Sequence, residues 1–347
     1  ADTQSEDFIS ALQKLGPTLP SRAVLFPCTD MSVLLVSQYR AVLEKWFNIP
    51  LANHATVQML LDKLSFYEFL DAHNLPYAKT IILRSAKDAE RIEQELSFPI
   101  ILKPSVRKPS WTKNSPKKVF LIKEKDSFKK IYEQCQKWAE ILIAQEWVEG
   151  SDENLFSGYV YFNKNSEPLV TFVAKKIRQF PPQAGITALG IECQNDYVLE
   201  TTVEIFKKSS FYGLGYVEMK FNPETQQYFI MEANIGRPTV RSALAETAGV
   251  EMLYTMYCDA LGLELPKNRT QHYRGIKWLN LHHDLRAAWY YWRTGQLTIR
   301  GWLRSLAGPK HHAVFSWHDP LPFFTDIFQA FSEALRKRLP FFKKRQK

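Results

Sequence analysis

The sequence predicts an α/β chain of two or three packed units. Three observations carry this expectation: a strand–turn–helix unit at the front, strands alternating with amphipathic helices through the middle, and an acidic hairpin near residue 225. At 347 residues the chain is long enough for each unit to have a core.

The elements follow in order. Phe8, Ile9, Leu12 and Leu15 form a helical stripe that stops at Gly16-Pro17. Ala23-Val-Leu-Phe26 reads as a buried strand, followed by Pro27-Cys-Thr-Asp30 and an amphipathic helix through about Phe47. One such unit cannot cover a parallel sheet, so the front is expected to hold a very small sheet or to lack its beginning. Leu61, Leu64, Phe66, Phe69 and Leu70 stripe a helix from Asp62 to His73, which Asn74-Leu-Pro-Tyr77 breaks. A helix over 86–96 leads into Ser97-Phe-Pro-Ile-Ile-Leu-Lys-Pro104, a strand whose last side chains are Leu102 and Lys103. A polar loop over 105–117 precedes a strand at Val119–Ile122, a helix around 126–139 and a strand at Ile141–Val148. After Gly150, strands are expected near 154–163 and 168–178, then a helix near 197–212, and a helix from about Val240 to Leu261 follows the hairpin. From Asn268 the chain turns rich in Trp and Tyr among basic residues, and Thr325–Leu339 reads as an amphipathic helix before a basic tail.

The hairpin is the most informative element. Val217, Met219 and Phe221 alternate with Glu218 and Lys220, and Phe229, Met231 and Ala233 alternate with Glu232 and Asn234, with a turn at Asn222-Pro223. A connecting loop of odd length, about three or five residues, sets Glu218 and Glu232 on one face with Asn234 beside them. Two carboxylates and an amide oxygen gathered there form a hard-oxygen site suited to Mg²⁺ bridging phosphates. Two acids on a solvated sheet face fit the same pattern, and the hairpin alone leaves both readings open.

Composition narrows the classes. No apolar run approaches the roughly 20 residues of a membrane span, and the N-terminus shows no signal-peptide pattern. Cys28, Cys135, Cys193 and Cys258 are scattered without a C-x-x-C, which suits reduced thiols in a cytoplasmic protein. The net charge of +9 is uneven: ten Lys or Arg face two acids between Lys103 and Lys130, and a second cluster fills Arg336–Lys347. Such excess favours an anionic partner.

The order of features resembles the ATP-grasp superfamily from about Asp62 to Leu261, and within it the carboxylate–amine ligases of the D-aspartate-ligase type. Phe98-Pro-Ile-Ile-Leu-Lys-Pro104, Gln145-Glu-Trp-Val-Glu-Gly150 with Asp152, and Glu218 with Glu232-Ala-Asn234 and Arg237 carry the likeness together. It implies an ATP-grasp fold gripping ATP between two α+β lobes. The resulting division is a partial N-terminal α/β domain at 1–60, an N-lobe with its phosphate loop at 61–149, a C-lobe at 150–265, and a helical, aromatic-rich extension at 266–347.

Residue by residue, the resemblance implies that Lys103 reaches the α-phosphate, with Lys63 at the start of its helix in a supporting place. Gln145, Glu146 and Val148 match the segment that meets the adenine edge, largely through backbone groups. Asp152, or its neighbour Glu153, matches the acid that accepts from the ribose hydroxyls. Lys176 and Arg178 look like the basic pair on the β- and γ-phosphates; period two puts them on one strand face and Lys175 on the other. Glu218, Glu232 and Asn234 match the ligands of Mg²⁺ or Mn²⁺. Arg237 matches the arginine that contacts the acceptor carboxylate or the transferring phosphoryl group, where a planar fork of donors suits better than a point charge. Asp30, Arg241 and the 181–196 loop are weaker candidates for substrate contact.

The sequence departs from the family in one respect. The family covers the triphosphate with a glycine-rich loop, but residues 103–149 contain no glycine. Side chains of Ser105, Arg107, Lys108, Ser110 and Lys113 are expected to replace backbone donors, with Trp111 capping the site. The implied reaction is amide formation from a small-molecule carboxylate and an amine through an acyl phosphate, with MgATP converted to ADP and phosphate. Rival readings are a carbamoyl-phosphate-synthase-like or carboxylase-like step, or a basic nucleic-acid- or membrane-binding protein. Nucleic acid leaves the acidic hairpin unexplained and is not expected as a partner. Peripheral contact of the basic tail with an anionic inner-membrane surface is compatible with catalysis.

Overall fold

A computed structural model describes residues 2, 5–106, 108–115, 117–183 and 185–338, and the side chains of 240, 241 and 330–338 are outside that description. Arg107, the Arg241 side chain and the tail beyond residue 338 therefore lie outside the described residues. The front unit holds β1 (Ala23–Val24) and β2 (Phe47–Asn48), a parallel pair of two residues each. Of the two front-end expectations, the described residues show the very small sheet. The unit also holds helices Asp7–Leu15, Asp30–Gln38 and His54–Leu61. Their Ile9, Val33 and Val57 share one apolar core with Val160, Phe162 and Ile235 from a larger sheet, so the front unit packs directly on the rest of the molecule.

The smaller lobe is a four-stranded antiparallel sheet of β3 (Thr80–Leu83), β4 (Ile100–Pro104), β5 (Phe120–Ile122) and β6 (Leu142–Glu146), in the order β3-β6-β4-β5. Within the loop after β4 the chain forms a short helix, Pro109–Asn114. Trp111 on that helix does not cap a site. It is fully buried, its Nε1 donates to the Lys117 carbonyl at 2.8 Å, and its ring meets Phe120 and Trp138 edge-on. An indole this large gains more from the lobe's core than from an open cleft.

The larger lobe is a seven-stranded sheet of β7 (Leu155–Phe162), β8 (Pro168–Phe180), β9 (Ile186–Glu192), β10 (Gly213–Asn222), β11 (Gln227–Ile235), β12 (Lys277–Leu279) and β13 (Lys310–His312). Its order is β11-β10-β7-β8-β9-β12-β13, antiparallel except where β12 and β13 run parallel. β9 corrects the sequence reading, since it runs through the middle of the 181–196 segment read as a loop. The helical, aromatic-rich segment after 265 also supplies two strands to this sheet. Helices Leu281–Arg293 and Ile299–Leu306 lie between those strands, the former packed on β8 and β9. The helix expected over 240–261 is two, Val240–Thr247 and Met252–Leu261, parted at Gly249, whose φ of +83° a side chain would strain. No described helix is long and apolar enough to cross a membrane.

Candidate functional site

The connection between β10 and β11 is even, not odd: Asn222 pairs with Gln227, leaving residues 223–226 as the turn. A regular ladder from that turn would set Glu218 against Met231. Instead Met219 pairs with Ile230 and Glu218 with Glu232, so Met231 is the extra residue of a β-bulge. The bulge brings the two glutamates onto one face. Asn234, paired with Tyr216, shares that face.

On this face Glu218 is nearly enclosed. Lys176 Nζ donates to its Oε1 at 3.1 Å and to Gln179 Oε1 at 3.0 Å. Burial pushes the Glu218 carboxyl above its usual range; the Lys176 ammonium opposes that shift and the Glu232 charge adds to it. Glu232 is exposed and accepts from Asn234 Nδ2 at 3.0 Å, while Asn234 Oδ1 accepts from Arg237 Nη2 at 3.0 Å. Arg237 Nε donates in turn to Asp30 at the first turn of Asp30–Gln38. Gly236 makes this geometry feasible: its φ is +71°, and a Cβ there would lie 2.4 Å from Leu51 Cδ1. The hairpin's end is thus pressed onto the front unit, which carries Arg237 to Asp30.

This arrangement fits a hard cation. No cluster of three His, Cys, Asp or Glu occurs among the described residues, so the oxygen set is two carboxylates and one amide. The Lys176 ammonium already compensates the buried Glu218, and a cation there would share that carboxylate with it. Ligation by Asn234 requires its amide to turn over, since its oxygen now faces Arg237.

The smaller lobe contributes a second group. Lys103, at the end of β4, donates to the Tyr67 hydroxyl at 2.9 Å and to Gln145 Oε1 at 3.1 Å. Lys63 donates to the Ser105 carbonyl at 3.4 Å, two residues beyond Lys103. Gln145 is buried and donates onward to Thr80 Oγ1 at 2.8 Å. Glu146 accepts from the Ser97 amide at 2.8 Å, and Val148 is buried. Tyr67 stacks on Tyr77 with centroids 5.4 Å apart, and Tyr77 pairs with Ile230 of β11. Contact therefore runs from Lys103 to the strand that carries Glu232.

Two expectations change. Arg178 does not share a face with Lys176. Lys176 pairs with Gly190 and Arg178 with Leu189, so a bulge at Ile177 turns Arg178 to the opposite side of β8. There it donates to both oxygens of the fully buried Asp284, at 2.7 and 3.1 Å, and Trp302 Nε1 donates to the same carboxylate at 2.9 Å. Asp152 is buried as well, accepting from the Gln179 amide at 3.1 Å, from Gln179 Nε2 at 2.7 Å and from the Tyr291 hydroxyl at 2.5 Å. The exposed Glu153 beside it faces a cleft of about 840 Å³ between the lobes, whose wall also includes Asp152, Arg178, Trp147, Lys220 and Tyr291.

Lys220 and Tyr291 were missed as cleft residues. Lys220 follows Glu218 by one strand period, lies 4.4 Å from the Trp147 ring centroid, and burial lowers its pKa. The alternation of Glu218 and Lys220 held that signal. Tyr291 comes from the remote Leu281–Arg293 helix and had none.

Comparison with known proteins fits this geometry. A family model described as the carbamoyl-phosphate synthase L chain, ATP binding domain, matches residues 186–268, the stretch holding Glu218, Glu232, Asn234 and Arg237. A biotin carboxylase from Campylobacter jejuni in complex with a βγ-ATP superposes with a TM-score of 0.64 at 13% identity, covering 78% of this chain and 62% of that one. The biotin carboxylase domain of Hydrogenobacter thermophilus 2-oxoglutarate carboxylase, with MgADP and bicarbonate, gives 0.59 at 16% identity over 75% of this chain and 58% of its own. The chain has the ATP-grasp fold. The N5-carboxyaminoimidazole synthase of Aspergillus clavatus, in complex with ADP and 5-aminoimidazole ribonucleotide, gives 0.53 at 15% identity, over 75% of this chain and 64% of that one. By sequence, the D-aspartate ligase of Enterococcus faecium (strain Aus0004) is 27% identical over 223 residues, 61% of this chain. The chain spans about half, 52%, of that relative's length.

Proposed function

We propose that the chain is an ATP-dependent carboxylate–amine ligase that phosphorylates a small carboxylate and joins it to an amine, releasing ADP and phosphate. The observation that carries this reading is the cross-strand pair of Glu218 and Glu232, set by the Met231 bulge on the face where Lys176 lies. The likeness to a D-aspartate ligase and to structures solved with ATP or MgADP supports it. Glu218, Glu232 and Asn234 would hold Mg²⁺ or Mn²⁺, which when bound disperses the charge of the phosphates.

The chain's own groups do the positioning. Lys103 beside Gln145 and Lys63 beside Ser105 supply positive charge for the α-phosphate, and Lys176 supplies it near the paired acids. The backbone of Gln145–Val148 meets the adenine edge, and Glu153 or Asp152 accepts from the ribose. Arg237 presents its fork to the acceptor carboxylate, steadied by Asp30. The carboxylate oxygen attacks the γ-phosphorus, the bond to ADP breaks, and the amine then displaces phosphate from the acyl phosphate. Orientation and fixed charge carry the rate, since little covalent work falls to the protein. The biotin carboxylase neighbours favour a second reading, with bicarbonate in place of the organic carboxylate.

The test is ADP release and thermal stabilisation with MgATP, first alone and then with amino acids and other small carboxylates plus amines. Nucleotide should stabilise the chain as linkage requires, Glu232→Ala should abolish that response, and an amide should accumulate with one carboxylate and amine. A bicarbonate requirement without amide product would favour the second reading. Absence of any nucleotide response would remove both.

A further inference from the structure

We propose that the outer surface of helices Leu281–Arg293 and Ile299–Leu306 docks on an anionic lipid surface. This goes beyond the ligase reading and does not depend on it. Large apolar side chains stand exposed there, among them Trp289 at 58%, Trp292 at 46%, Ile299 at 62% and Leu303 at 57%. Trp289 and Trp292 lie with ring centroids 5.1 Å apart beside an apolar groove that Leu285, Ala288 and Trp302 help to line. Singly scattered apolar residues need no explanation, but a contiguous group of indoles and branched aliphatics does.

Charge identifies the occupant. Residues 285–318 contain Arg286, Arg293, Arg300, Arg304 and Lys310 and not one Asp or Glu. Arg300 and Arg304 are exposed one turn apart on the same helix as Ile299 and Leu303, and the Arg293 guanidinium lies 6.0 Å from the Trp289 ring centroid. Indoles at headgroup depth, aliphatics below them and arginines among the phosphates are how an interfacial helix meets an anionic bilayer. A second copy of this face would bring Arg293, Arg300 and Arg304 against the same three arginines, with no acid from residues 285–318 between them. Single-stranded nucleic acid would use the arginines and indoles but leave Ile299 and Leu303 without a role, since bases stack on aromatic planes. Leu297 borders both this groove and the cleft between the lobes. A docked chain therefore holds the cleft next to the bilayer.

The experiment is sedimentation of the full chain with vesicles of phosphatidylcholine alone or mixed with phosphatidylglycerol, at low and high salt. The chain should follow the mixed vesicles at low salt and stay in solution with phosphatidylcholine alone. Arg300→Gln with Arg304→Gln should weaken vesicle binding about thirtyfold, the combined effect of two arginines near an anionic surface. Trp289→Ser with Trp292→Ser should weaken it too, and both variants should keep the parent's melting temperature and nucleotide response. Equal binding to both vesicle types, or undiminished binding by the arginine variant, overturns the proposal. So does a dimer, or binding of a single-stranded oligonucleotide, that the tryptophan variant abolishes while vesicle binding persists.

Discussion

Glu218 stands directly opposite Glu232 across β10 and β11, and the extra residue at Met231 puts it there. The two carboxylates share a face but not an environment. Glu218 is almost enclosed and held by Lys176, whereas Glu232 is exposed with an amide for company. Their substitutions should therefore separate. Glu232→Gln should leave the melting temperature of the free chain unchanged and remove the Mg²⁺-dependent part of nucleotide binding. Glu218→Ala strands the buried Lys176 ammonium and should cost about 3 kcal/mol in denaturant unfolding. Equal stability losses in the two variants would contradict this asymmetry.

Arg178 is expected to act as structure. Its guanidinium and the Asp284 carboxylate form a buried ion pair, so removing one partner leaves the other buried without it. Arg178→Met should cost about 3–5 kcal/mol, and Arg178→Met with Asp284→Leu should recover most of it while retaining nucleotide stabilisation. A phosphate ligand would behave in the opposite way: nearly full stability in the single variant, and no nucleotide response in either. Urea unfolding with and without MgATP distinguishes the two.

Much of this site was legible because alternation and loop chemistry are local. The hairpin, the lysine ending β4 and the strands β7 and β8 fall close to where period two and the flanking breakers put them. What failed was non-local. The bulges at Met231 and Ile177 change which face a residue takes without leaving a mark on composition: the first rescued the pairing of Glu218 with Glu232, the second carried Arg178 away from Lys176. β12 and β13 are three residues each and exist because β9 offers an edge, a fact absent from their own sequence. Trp111 shows the same limit, since a Trp in a polar loop reads as a surface cap until a core is seen beneath it.

Asp152 and Glu153 compete for one role, and their surroundings allow a clean split. Asp152 is the acceptor for three donors from Gln179 and Tyr291, so Asp152→Ala leaves buried donors unsatisfied and should cost about 1–3 kcal/mol. Glu153 is exposed at the cleft. Glu153→Gln should leave stability unchanged and, if it meets the ribose, weaken ATP binding about tenfold, roughly the effect of one charged hydrogen bond. Calorimetric titration of ATP and its 2′-deoxy analogue checks the assignment: the parent should distinguish the two ligands and Glu153→Gln should not.

Lys220 allows a prediction with a defined pH sign. Burial against Trp147 lowers its pKa below the ordinary 10.5, while the Glu149 and Asp152 charges pull it partly back. The unfolded chain then holds the proton more tightly than the folded one, so stability is lost as pH falls through the lowered value and is fully regained only above 10.5. At neutral pH the buried ammonium costs stability. Lys220→Met keeps a flexible contact on the Trp147 ring without the charge, and should raise the melting temperature at neutral pH by roughly 2 °C, as about 1 kcal/mol does in a chain of this size. The gain should shrink as pH rises toward 10.5, because the parent then sheds its proton. With a charge removed from the cleft, ATP should stabilise the variant less than the parent. A melting temperature that falls at neutral pH, or a gain that does not vary with pH, would show that the Lys220 ammonium is better solvated than its burial implies.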